Sequence, residues 1–232
     1  MEGEMVERYR TPTRILHWIH AGAFTLLFLT GIILYISPLA ILAEDGWTRI
    51  IHRAAAIVFI VAPLIYVSFN FKSAMRGILD ALKWGIDDLG WAKAAPRYYF
   101  LADEKAMPPQ GHMNTGQKMW WLMTLAFSGI FILTGLIMWV AKTSAPAAVL
   151  QWSVFVHDIA FIATGCMFFL HIYLSAIHPL MRPLRSGAWN SMARGQVSSE
   201  YARSHHAKWY AEVASGKSTE KSINQTWQKG YR

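Results

Sequence analysis

Four stretches of the chain contain no Asp, Glu, Lys or Arg and are dominated by apolar side chains. The first runs from Ile15 to Ala43, its apolar part ending near Ser37; the others are Ala54–Phe71, Met119–Ala141 and Ile159–Met181. About 20 residues rising 1.5 Å each cross the roughly 30 Å hydrocarbon layer of a bilayer. Each stretch is therefore predicted to cross once as a helix, which satisfies its own backbone hydrogen bonds in lipid. The fourth helix is expected to begin near Leu150. Between the second and third stretches, Met75, Ile78, Leu79, Leu82, Ile86 and Leu89 recur at helical spacing, with Arg76, Asp80, Lys83 and Asp87 interposed. That pattern predicts a helix lying on the membrane surface, with Pro96 and Pro108–Pro109 interrupting the remainder of the loop. The predicted fold is all-α: an integral membrane four-helix bundle with a cytoplasmic-side interfacial helix in the long loop between helices two and three.

Composition agrees. Of 232 residues, 54% are hydrophobic and 16% charged, against about 25% charged in a soluble domain. The single Cys166 excludes a disulfide scaffold, a Cys-ligated iron–sulfur cluster and a covalently attached c-type haem. Of the 22 Lys and Arg, 19 fall in the N-terminus, the Lys72–Lys118 connection and the tail from Arg182. The short connections Pro38–Arg53 and Lys142–Gln151 hold only Arg49, Arg53 and Lys142. The positive-inside rule then places both termini and the long loop in the cytoplasm. The net charge of +8 thus reports topology and requires no nucleic-acid partner. The chain divides into a cytoplasmic N-terminus (1–14), a four-helix transmembrane domain (15–181) and a basic cytoplasmic tail (182–232). Its last twenty or so residues, rich in Lys, Ser, Gln and Gly, read as mobile. No cleaved signal peptide is expected, since the first apolar segment is long enough to span.

Polar groups in a bilayer are costly and so point to function. Fourteen residues separate His157 from His171: about 3.9 turns, so the rings point the same way within about 40° and lie about 21 Å apart along the axis. Chain reversal brings His52 to the outer depth of His157 and His17 to the inner depth of His171. Two imidazoles from facing helices can hold a haem as both axial ligands, in the way bundles build cofactor sites from inward side chains. With both axial positions filled, the iron passes electrons but has no open place for oxygen. Gly31, Gly135 and Gly165, with Ala54–Ala56, offer small surfaces for a flat macrocycle, though small residues also serve plain helix packing. His20, one turn above His17, is the alternative inner ligand; otherwise it and His178 read as interfacial side chains. His112, His205 and His206 fall in loop or tail and are expected to be solvated.

These histidines stand in recognisable surroundings: Arg14-Ile-Leu-His17-Trp18, Arg49-Ile-Ile-His52, Asn114-Thr-Gly-Gln117-Lys118, Val156-His157, Leu170-His171-Ile-Tyr173 and Ala202-Arg-Ser-His205-His206-Ala-Lys-Trp209-Tyr210. In this order, over nearly the whole chain, they resemble the membrane cytochrome b (gamma) subunit of respiratory formate dehydrogenases, among the bacterial di-haem cytochromes b. The resemblance implies two haem b groups, an outer one on His52 and His157 and an inner one on His17 and His171. It also implies a quinone site beside the inner haem that uses Asn114, with Gly116 and Gln117 as further candidates; from the residues alone, Asn114 reads as a helix cap. The implied partners are an iron–sulfur electron-transfer subunit and a molybdenum or tungsten catalytic subunit, in a complex of the bacterial inner membrane that can oligomerise further. This chain itself carries no motif for molybdenum, tungsten, flavin or clusters. Other readings are the cytochrome b of a hydrogenase or another molybdenum oxidoreductase and, from a different class, a haemless membrane anchor or metal-ion carrier.

Asp158 departs from the family, where a small apolar residue is expected. It reads first as a side chain snorkelling to the outer interface; a carboxylate beside His157 would also favour oxidised iron and lower the outer haem's potential. On that second reading Asp158→Asn raises one of two haem potentials in a redox titration; two unchanged potentials leave only the first.

Overall fold

The computed structural model describes residues 4–101, 107–177 and 187–216. His178 and most of the tail expected to be mobile lie outside the described residues. The chain forms strand β1 (Met5–Glu7) and helices α1 (Thr11–Tyr35), α2 (Trp47–Leu82), α3 (Ile86–Leu101), α4 (Thr115–Val140) and α5 (Ala147–Ile172). Helix α6 (Gly187–Ala193), strand β2 (Gln196–Ser198) and helices α7 (Ser199–His205) and α8 (Ala207–Ala214) complete it. It folds as two compact units, a membrane unit of Tyr9–Ala74 with Met123–Gly195 and a polar unit of Met1–Arg8, Met75–Leu122 and Gln196–Arg232.

Among the described residues four helices are long and apolar enough to span, and no more than 17% of the most apolar stretch of any of them is buried within the protein. An apolar exterior of this kind is what lipid solvates, so the chain is an all-α integral membrane bundle. In the membrane unit the helices meet pairwise. Thr13 Oγ1 hydrogen-bonds Tyr66 Oη at 2.9 Å, joining α1 to α2, and the Arg53 guanidinium lies 5.4 Å from the Trp139 ring, joining α2 to α4. Between α1 and α5 the contact is reciprocal: a Cβ on Gly31 would stand 3.0 Å from the Phe161 ring, and one on Gly165 would stand 2.8 Å from Phe28. Small residues here let aromatic rings from the opposite helix close the gap. Beyond α6, Gly195 has φ +82° and an added Cβ would lie 2.6 Å from the Tyr9 carbonyl oxygen, so that turn requires glycine. Tyr9 N–H donates to the Gly195 carbonyl at 3.2 Å, and the Arg14 guanidinium donates to the carbonyls of Met192 and Ala193.

The polar unit has its own small core of Val197, Ala202 and Trp209. Strands β1 and β2 pair antiparallel, with Val6 opposite Val197. Ser198 caps α7 by accepting from Tyr201 N–H at 3.2 Å. The buried carboxylate of Asp88 joins α3 to α4: it accepts from Lys118 Nζ at 2.9 and 3.0 Å, from Thr115 Oγ1 at 2.7 Å and from Gly85 N–H at 2.8 Å. Burial pushes this carboxyl's pKa up, but the hydrogen bonds from Lys118, Thr115 and Gly85 together with the Lys118 charge outweigh it and hold the pKa below its usual value.

Four features differ from the sequence expectation. The repeat expected along one helix from Met75 to Leu89 is divided: its first part extends α2 beyond a non-helical Asn70, and α3 starts afresh at Ile86. The division falls at Gly85, whose N–H is taken by the Asp88 side chain, a local alternative to the helix ladder. Pro96 lies inside α3 rather than ending it. Helix α5 begins at Ala147, with Pro146 as its cap. His206 is not solvated, and His112 is partly buried. His206 is fully buried, its Nδ1–H donating to the Gly111 carbonyl at 2.7 Å, and His112 packs edge-on to Trp209 at 5.7 Å. The physical reason is the Trp209 core, which draws both rings out of water once β1 and β2 pair.

Burial, and after it the Arg8 charge, holds the His206 pKa well below 6.5, and the same two causes push His112 down to about 3. Such a group contributes stability that is complete above its unfolded pKa and is lost as pH falls through about 6.5, where the unfolded ring takes up a proton that the folded one refuses. Hydrogen-exchange protection across residues 196–214, corrected for intrinsic rates, is therefore expected to fall as pH drops from about 7.5 to about 5.5. His206→Gln should flatten that fall; an unaltered slope would count against it.

Candidate functional site

An imidazole inside a bilayer has two nitrogens to satisfy, and the membrane unit handles them separately. His52, in the first turns of α2, places Nδ1 2.7 Å from Thr30 Oγ1 on α1. His157, on α5, places Nδ1 2.8 Å from Thr134 Oγ1 on α4. Each threonine oxygen also lies close to a carbonyl one turn back on its own helix: Thr30 to Leu26 at 2.6 Å and Thr134 to Ile130 at 2.7 Å. A carbonyl has no hydrogen, so the single hydroxyl hydrogen is committed there and the threonine oxygen accepts from the ring. Both Nδ1 atoms thus carry the proton, and both Nε2 atoms keep a lone pair. Phe131 packs edge-on to His157 at 4.9 Å, and a Cβ on Gly135 would stand 3.8 Å from His157 Cε1.

At the other level, the rings of His17 and His171 face each other with centroids 6.4 Å apart and planes at 53°. A first-row metal bonds imidazole nitrogen at about 2.0 Å, and with about 1.1 Å from nitrogen to ring centre a collinear ring–metal–ring axis spans about 6.2 Å. The observed spacing fits one metal between the rings. Among the described residues His17 Nδ1 is buried without a hydrogen-bond partner, and the ring meets Trp18 edge-on at 5.1 Å. His20 turns to Phe59 instead, at 4.0 Å, its buried Nε2 likewise without a partner among the described residues. Of the two neighbouring α1 histidines, His17 is the one whose ring meets His171. Among the described residues no three His, Cys, Asp or Glu side chains gather where they could hold a metal ion. Paired imidazoles suit an iron whose other positions a porphyrin fills.

The glycines divide by role. Gly135 lies against a histidine ring, whereas Gly31 and Gly165 are taken up by phenylalanines. Asp158 is partly buried, one residue beyond His157.

In the polar unit, Asn114 and Gln117 form a reciprocal cap at the start of α4. Asn114 Oδ1 accepts from Gln117 N–H at 2.9 Å, and Gln117 Oε1 accepts from Asn114 N–H at 3.0 Å, the pattern of a capping box. Arg8 braces it, donating through Nη2 to Gln117 Oε1 at 3.2 Å and to the His112 carbonyl at 2.9 Å. Gly116 admits Trp91, whose ring would stand 2.8 Å from an added Cβ. The cap occupies the Asn114 carbonyl oxygen and leaves its NH2 group as a hydrogen-bond donor. Sequence reasoning missed Thr30, Thr134 and Arg8. A threonine in an apolar helix ordinarily bonds its own i−4 carbonyl, so only its place among the spans could have singled it out.

Membrane-spanning helices that bring histidines together in pairs across the bundle define a membrane cytochrome. The chain belongs to the prokaryotic cytochrome b561 family, whose model matches residues 8–195. It is accordingly a multi-pass bacterial membrane protein that binds haem b and carries electrons. It is similar to the formate dehydrogenase cytochrome b556 subunit of Haemophilus influenzae, 29% identical over 94% of this chain and 87% of that protein. Two relatives from Escherichia coli K12 are the formate dehydrogenase cytochrome b556(fdo) subunit, 27% identical, and the nitrate-inducible cytochrome b556(Fdn) subunit, 26% identical. The matches cover 94% and 95% of this chain and 97% of each relative.

Proposed function

We propose that the chain is the membrane di-haem subunit of a formate dehydrogenase, conducting electrons from a catalytic and iron–sulfur partner to membrane quinone. The observation that carries this reading is the facing pair His17 and His171 at 6.4 Å, beside His52 and His157, each held at Nδ1 by a threonine of a neighbouring helix. The likeness of the whole chain to subunits named for formate dehydrogenase supports the choice of donor. In this reading His52 and His157 are the axial ligands of the outer haem, and His17 and His171 those of the inner one, with both termini cytoplasmic. Haem b held by two imidazoles supplies a one-electron carrier with no open coordination position. Thr30 and Thr134 fix the tautomer of the outer ligands, and the apolar helix faces keep water from both pairs. Peptides that co-purify with the chain separate a formate dehydrogenase from a hydrogenase or another molybdenum enzyme.

Quinone is bound by the Asn114–Gln117 segment. Asn114 donates from its NH2 group to a quinone carbonyl, and the cap formed with Gln117 and Gly116's close fit to Trp91 hold that amide in place. The exposed Ile86 and Leu89 of α3 suit contact with the membrane surface.

His52→Ala and His171→Ala should each remove one haem, read as haem iron per chain and by the low-spin spectrum. Two low-spin haems retained in either variant refute the ligand assignment. Asn114→Asp keeps a cap oxygen, whereas Asn114→Ala gives up about 1 kcal/mol of helix capping. Asn114→Asp is expected to preserve thermal stability and both haems while lowering quinone reduction at least tenfold; undiminished quinone reduction removes Asn114 from the site.

A further inference from the structure

From the threonine–histidine contacts we infer that Thr30 and Thr134 are positioning residues that lower the reduction potential of the outer haem relative to the inner one, so that electrons run inward. The inference rests on the ligand reading above. At the outer level both ligands are treated alike: a threonine from the neighbouring helix accepts the Nδ1–H of His52 and of His157, at 2.7 and 2.8 Å. Each hydroxyl is locked by its own helix carbonyl, so it cannot turn and become the donor. The device occurs twice, once between α1 and α2 and once between α4 and α5. At the inner level His17 has no such acceptor among the described residues, its Nδ1 being buried without a partner there.

An imidazole whose outer N–H is hydrogen-bonded acquires imidazolate character and becomes a stronger electron donor to its metal. Stronger donation stabilises ferric over ferrous iron and so lowers the potential. Two donating ligands at the outer level, against at least one without an acceptor at the inner level, tilt the pair. A single electron leaving ferrous iron at the outer level then reduces ferric iron at the inner level downhill, the outer iron becoming ferric and the inner ferrous. The threonines also replace a solvation that lipid cannot provide, since an N–H left bare in hydrocarbon is costly.

The test uses the purified complex bearing Thr30→Val, Thr134→Val and both together, with Thr30→Ser and Thr134→Ser as hydroxyl-retaining controls. Potentials are read by optical redox titration, and ligand character by low-spin EPR and resonance Raman spectra. The His52→Ala protein, left with the inner haem only, assigns which potential belongs to which level. The expected result is an upward shift of the outer potential in each valine variant, larger in the double, an unmoved inner potential, and return to the parent value with serine. Loss of the outer haem from valine but not serine variants supports the same role. Unmoved potentials with both haems present, or equal effects of serine and valine, overturn the inference while leaving the ligands as assigned. Two haems persisting in His52→Ala would instead overturn the ligand reading beneath it.

Discussion

An imidazole in hydrocarbon cannot leave either nitrogen to water, and the membrane unit is organised around that constraint. For His52 and His157 one nitrogen is settled by a threonine of a neighbouring helix, which leaves the other as a lone pair inside the bundle. The same contacts fix helix register: sliding α2 along α1 by one residue, about 1.5 Å, would break a 2.7 Å hydrogen bond in a medium with no substitute. Packing contributes shape, through the Gly31–Phe161 and Gly165–Phe28 contacts of α1 and α5. Polar satisfaction contributes uniqueness.

The polar unit solves a different problem. It holds short elements that could not form a core singly and joins them with buried polar links: Asp88 to Lys118 and Thr115, Arg8 to Gln117, and His206 to Gly111. These links converge on the start of α4, so the Asn114–Gln117 cap is braced from beside β1 through Arg8. Such a network is sensitive to acid because its histidines are buried neutral. The bundle relies mainly on helix packing and on hydroxyl–imidazole bonds.

Membership in the prokaryotic cytochrome b561 family is consistent with this economy. The porphyrin brings the electron chemistry, and the chain brings imidazoles held in fixed orientation between apolar helices.

Much was legible in the sequence because the bilayer imposes one-dimensional rules. Uncharged runs had to be spans, and the spacing of His157 and His171 on one helix came directly from 3.6 residues per turn. Chain reversal led to the expectation that His17 faces His171, and their rings do meet. Residue spacing says nothing about which neighbouring helix supplies a partner, so Thr30 and Thr134 stayed hidden among ordinary i−4 threonines. Nor does it say which of His17 and His20 turns toward α5. Composition misled where local polarity met tertiary burial: His112 and His206 lie in polar segments, yet the strand pair and Trp209 enclose them. The break at Gly85 was likewise decided by the Asp88 side chain, whose own partners, Lys118 and Thr115, come from a distant helix. Sequence by itself determined the number of spans, because lipid acts on every residue alike. Tertiary structure decided the tautomers, the caps and the buried histidines, because those depend on contacts between residues far apart in the chain.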